Sequence, residues 1–135
     1  MVPIREPKTY SILLADDQVL IRESLAALCD ARRGFKVVCQ CSEGAAALRF
    51  IQERRPDIAV VDLNLPDLFA LEIVRRVREG DLPTRMVVLS SRKDRKTVVE
   101  ALRCGVNAFL LKSSPSSELM DAFDQILDGD RKSVV

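Results

Sequence analysis

Five short apolar runs recur along this chain, and each is followed by a segment of helical period. The runs read "YSILLAD" (10–16), "FKVVCQC" (35–41), "DIAVVD" (57–62), "RMVVLS" (85–90) and "NAFLLK" (107–112). Several are apolar on successive residues and rich in Val, Ile or Leu, the pattern of strands covered on both faces. The intervening segments are "QVLIRESLAALCDARR", "SEGAAALRFIQERR", "LFALEIVRRVRE", "RKTVVEALRC" and "SPSSELMDAFDQILD". In the first, Ile21, Leu25 and Leu28 form a stripe from which Arg22 and Glu23 are turned away; in the third, Leu71, Val74 and Val77 repeat likewise. Strict alternation of this kind predicts an α/β fold, (βα)5, doubly wound around a parallel sheet with right-handed crossovers.

Punctuation supports the boundaries. Gly34, Gly80, Gly105 and Gly129 each follow a predicted helix, where a left-handed cap favours glycine. Pro56 stops the second helix, and Ser114-Pro115 opens the last one. One domain fills residues 10–130, preceded by an N-terminal extension (1–9) and followed by the start of a linker or tail (131–135).

Composition narrows the function classes. The chain is 47% apolar and 30% charged, as a folded domain requires, and its net charge of +1 gives no bulk basic field for nucleic acid. No apolar run approaches the length of a membrane span, and "MVPIREPKTY" is too polar for a signal peptide, so a cytoplasmic location is expected. Cys39 and Cys41 share one face of a strand; with no histidine in the chain, the four cysteines are expected as free thiols.

In an open parallel sheet, sites form at the carboxyl ends of the strands. Here those ends carry Asp16 and Asp17, then Asp62, then Ser90, then Lys112. Each has an ordinary explanation alone: an Asp pair before a helix caps it, a serine at a strand end forms a turn, and a lysine is solvated. Their common rim favours a joint role. Three carboxylates repel unless a cation intervenes, and oxygen donors favour Mg²⁺ or Mn²⁺. Lys112 and Ser90 then offer a point charge and a hydroxyl to phosphate oxygens. With no histidine at the rim, Asp62 is the candidate nucleophile toward phosphorus.

The motifs "LLADD", "VVDLNLP", "VVLSS" and "FLLK", in this order and spacing, closely resemble the receiver domain of bacterial two-component response regulators, over roughly residues 10–130. That resemblance implies a flavodoxin-like, CheY-like sheet of order 2-1-3-4-5. It implies Asp62 as phosphoacceptor, and a magnesium site made by Asp16, Asp17, Asp62 and the backbone carbonyl of Asn64. It makes Ser90 the switch hydroxyl, Lys112 the phosphate-binding lysine and Phe109 the switch aromatic, although a strand-five aromatic is also ordinary core. Arg92, two residues beyond Ser90, is expected to modulate dephosphorylation. A sensor histidine kinase is the expected donor, with dimerisation on phosphorylation. "ADDQVLIRESLAAL" and "NAFLLKSSPSSEL" resemble the LuxR/NarL-type branch, whose members reach DNA through a C-terminal helix-turn-helix domain; of an excised receiver and a stand-alone one, the resemblance favours a receiver excised from its transcription factor.

Two departures stand out. Phe69-Ala70 replaces the Asp-Gly pair often found there, with Phe69 expected to be exposed; and Gln18 follows the aspartate pair with no evident consequence. A phosphatase with an aspartyl nucleophile would usually place an acid two residues later, where this chain has Asn64. A flavin-binding protein of the same fold would need a phosphate loop where "DDQVL" places carboxylates. A degenerate receiver serving only as a scaffold would not need all five key side chains filled.

Overall fold

Every residue of "IAVVD" is buried in the computed structural model, as a strand covered on both faces demands. That strand, β3 (Ile58–Asp62), lies at the centre of a sheet whose other principal strands are β1 (Tyr10–Ala15), β2 (Phe35–Cys41), β4 (Arg85–Ser90) and β5 (Ala108–Leu111). All neighbours are parallel, in the order β2-β1-β3-β4-β5. The structure describes residues 8–129 and 133–134. Residues 1–7, which make up most of the N-terminal extension, and residues 130–132 and 135 lie outside that range. Within the tail, Ser133–Val134 form a two-residue strand, β6, parallel to β5, an element not expected from the sequence.

The helices are α1 (Val19–Ala31), α2 (Gly44–Arg54), α3 (Ala70–Glu79), α4 (Arg95–Cys104) and α5 (Ser116–Gly129). Successive strand residues point to opposite faces, so the sheet feeds two cores. Leu13, Ala59, Val61, Met86, Val88 and Phe109 pack beneath α2, α3 and α4. Ile12, Leu14, Val60, Val87 and Leu110 pack against α1 and α5 on the other side.

Strand β2 departs from simple alternation. Its register against β1 slips between Ile12 and Leu13, leaving Val38 as an extra residue that is exposed. The bulge sends Phe35 and Val37 to the α1/α5 core but Cys39 and Cys41 to the α2 side. All four cysteines are free, and burial pushes Cys29 and Cys41 up to about 12, so both are neutral thiols within the packing.

Several caps differ from expectation. Gly34 and Gly105 are left-handed, but Gly80 has φ −78° and is not, while Gly129 is the last residue of α5. Arg55, not glycine, takes the left-handed position after α2. Pro115 stands just before α5. Arg22 is half-buried rather than turned away, and its Nη1 donates to the carbonyl of Asp16 (2.8 Å). Gly44 owes its identity to proximity: a Cβ there would lie 2.8 Å from both the Cβ and carbonyl of Leu68. The loop after β3 is held against α2 by the same neighbourhood. Asp67 accepts from the N–H groups of Gly44 (2.6 Å) and Ala45 (2.9 Å), and these bonds hold its carboxyl below its ordinary range.

Candidate phosphoryl-accepting site at the carboxyl edge of the sheet

Backbone bonds at the strand ends set the rim. Asp16 N–H donates to the Cys41 carbonyl (3.0 Å), Leu63 N–H to Leu89 (2.7 Å) and Lys112 N–H to Ser90 (2.8 Å). The loops leaving β1, β3, β4 and β5 are therefore stitched to their neighbours before any side chain is considered. Asp16, Asp62 and Ser90 are buried polar residues at this edge, while Asp17 and Asn64 are exposed.

Carboxylate oxygens of Asp16, Asp17 and Asp62 lie within 4.8 Å of one another. Lys112 Nζ contacts Asp16 Oδ2 at 2.8 Å and Asp62 Oδ2 at 3.2 Å. It also donates to Gln18 Oε1 at 2.8 Å. Asp62 Oδ1 accepts from the backbone N–H of Asn64 at 3.3 Å, and Asp16 Oδ1 from that of Gln18 at 2.8 Å. Asp16 Oδ2 is fully buried and receives no well-aligned hydrogen bond; what it has is the ammonium beside it.

These contacts pull the titrations in different directions. Burial dominates at Asp62 and raises its pKa; the Lys112 hydrogen bond lowers it, and the charge of Asp16 raises it again. Burial of Lys112 opposes its charge, but hydrogen bonds and attraction from Asp16 and Asp62 outweigh that, so its pKa is raised. Both groups rise, Asp62 because burial outweighs the lysine beside it and Lys112 because two carboxylates together outweigh its own burial.

The donor set fits a hard divalent cation. All three side chains offer carboxylate oxygen, and Asp16 Oδ2 has a lone pair without an aligned donor.

Ser90 is buried at the rim with its hydroxyl engaged locally. Its Oγ donates to the carbonyl of Arg92 and accepts from the Arg92 N–H at 3.1 Å, closing a tight turn. Beside it lies a cavity of about 390 Å³ lined by Asn64, Phe69, Ser90, Arg92 and Thr97 among others. Phe69 is 45% exposed on that cavity's wall, as expected from the sequence. Phe109 is completely buried in the α2–α4 core. Gln18 was the residue that sequence reasoning passed over: its partner lies 94 positions away, and nothing in "DDQVL" signals it.

Fold and rim together define a doubly wound α/β domain with an acidic, lysine-clamped pocket where the strand order reverses. The model of the response regulator receiver domain matches residues 12–124, and the chain belongs to that family. It is 32% identical over 126 residues to the nitrate/nitrite response regulator protein NarL of Escherichia coli (strain K12), covering 93% of this chain and 57% of that one. This chain thus spans little more than half of that relative's length. Among solved structures, the signal receiver domain of NarL from Mycobacterium tuberculosis is similar at 31% identity, with a TM-score of 0.87 over 91% of this chain and 99% of that one. A two-component response regulator of the LuxR family from Aurantimonas sp. SI85-9A1 is 32% identical, with a TM-score of 0.87 over 93% of this chain and 89% of that one. Among the described residues, no helix is long and apolar enough to cross a membrane.

Proposed function

We propose that residues 10–130 form a receiver that takes a phosphoryl group onto Asp62 from a sensor histidine kinase in the cytoplasm. The observation that carries this reading is the Lys112 ammonium lying between Asp16 and Asp62 while three carboxylates converge. A nucleophilic carboxylate oxygen of Asp62 forms a P–O bond as the P–N bond of the donor phosphohistidine breaks, and the electron pair leaves with the imidazole nitrogen. Lys112 neutralises charge on the transferred group. Asp16, Asp17, Asp62 and the backbone carbonyl of Asn64 hold Mg²⁺ (or Mn²⁺), which when bound offsets carboxylate repulsion and the charge of the phosphoryl oxygens.

The switch runs through Ser90 and Phe109. A phosphoryl group adds charge and acceptor oxygens. Ser90 leaves its turn with Arg92 to donate to one of them, and Phe109 repacks behind it. The domain then pairs with a second copy. The chain is not an enzyme on another substrate; it assists its own phosphoryl transfer and slow dephosphorylation, with Arg92 setting water access. In the whole protein, transcription is regulated through a C-terminal helix-turn-helix domain, which alone contacts DNA.

Intact mass spectrometry after treatment with acetyl phosphate and Mg²⁺ tests this. A phosphate-sized gain is expected in the wild type and none in Asp62→Asn. Equal gain in both removes Asp62 from the role. In the same assay Arg92→Ala is expected to alter how long the added mass persists; an unchanged lifetime removes Arg92.

A further inference from the structure

An ammonium has three protons, and Lys112 has three acceptors in reach. They are Asp16 Oδ2 and Gln18 Oε1, both at 2.8 Å, and Asp62 Oδ2 at 3.2 Å. The contact with Asp62 is the longest of the three. Gln18 therefore shares the lysine head with the carboxylate that is the candidate nucleophile.

The placement of Gln18 is unusual in another respect. It stands at the N-cap of α1, where a side-chain oxygen ordinarily accepts from the first turn of the helix. Its side chain makes no such bond. It reaches across the rim to Lys112, while its own N–H donates to Asp16 Oδ1 at 2.8 Å. One residue thus orients the cation and a neighbouring carboxylate together.

We propose that Gln18 is a positioning residue for phosphoryl transfer, holding the Lys112 head toward the β1–α1 loop and off Asp62. The proposal rests on Asp62 being the phosphoacceptor. Without the Gln18 oxygen, one ammonium proton loses its partner. The carboxylates of Asp16 and Asp62 are the acceptors left to it, so the lysine closes on Asp62. A carboxylate clasped more tightly by an ammonium is a weaker nucleophile, and the lysine is no longer free to meet an incoming phosphate oxygen.

Gln18→Met keeps the length of the side chain and removes the acceptor. Gln18 is exposed and contributes no cap bond, so this variant is expected to fold with an unchanged thermal midpoint. Two readouts are taken on the purified chain: the rate of mass gain with acetyl phosphate and Mg²⁺, and the NMR signal of the Lys112 ammonium, identified by its loss in Lys112→Met. The wild type is expected to show a slowly exchanging Lys112 signal. In Gln18→Met that signal shifts, and the rate falls about tenfold, as expected for one lost charge-assisted hydrogen bond. An unchanged rate overturns the proposal. So does a slower rate with the Lys112 signal unmoved, or a wild type with no protected signal. A wild type that gains no mass at all is a failure of the phosphoacceptor assignment instead.

Discussion

Desolvation dominates the titration of Asp62, with Lys112 and Asp16 acting in opposite senses behind it. The sign of its effect on stability follows. Below the unfolded value of 3.8 both states are protonated and the group is neutral to folding. Above its raised folded value, the native state carries a charge that the fold disfavours. Asp62→Asn is therefore expected to raise the stability of the metal-free domain at neutral pH, with the gain shrinking as the pH falls toward about 4. Chemical denaturation across that range measures it; a constant gain, or a loss at neutral pH, contradicts the direction. At this scale the sequence was informative where a charge ended an apolar run, as at Asp62 and Lys112. It was silent about Gln18 and Arg22, whose partners are a distant lysine and a backbone carbonyl. Neither spacing nor residue type marks such bonds.

Helices and strands are joined at the opposite edge of the sheet by one side chain. Arg78, at the end of α3, donates from Nε to the carbonyl of Gly105 (3.0 Å) and from Nη1 to those of Leu82 (3.3 Å) and Thr84 (3.0 Å). Its Nη2 donates to Asn107 Oδ1 (2.6 Å). Asn107 Oδ1 also accepts from the N–H of Met86, so the guanidinium and β4 share an acceptor. Arg78→Met keeps the stem and removes five donors. It is expected to cost about 3 kcal/mol in urea unfolding while leaving the rate of phosphorylation unchanged. A loss within about 0.5 kcal/mol would show that these bonds merely replace water. In the sequence, Arg78 is one basic residue among several on a polar helix face. The period of α3 located its apolar side through Leu71, Val74 and Val77, and a period cannot tell a solvated arginine from one folded back onto loops.

The molecule as a whole is two cores divided by a sheet. Ile51 belongs to the layer under α2–α4 and Phe123 to the layer under α1 and α5; both are fully buried. Ile51→Ala and Phe123→Ala are each expected to cost about 3–4 kcal/mol. Because the sheet separates them, their effects should add within about 0.5 kcal/mol in the double variant. A larger discrepancy in denaturant unfolding would mean the layers are coupled through the strands. The parallel (βα)5 winding was legible because an alternation of apolar runs and helical periods admits few topologies, whereas the strand order came only from the resemblance of the rim motifs to a known family. The bulge at Val38 was not, since one extra residue leaves the apolar count of "FKVVCQC" unchanged while moving its second half to the other layer. Nor was β6, two residues at the edge of β5.

Ser90 Oγ is already doubly committed, giving its proton to Arg92 and taking one from the same residue. In the switch proposed above, a phosphoryl oxygen that recruits this hydroxyl must break both bonds of a loop closed on itself. Under the proposed switch, that local turn is the threshold an arriving phosphoryl group has to cross.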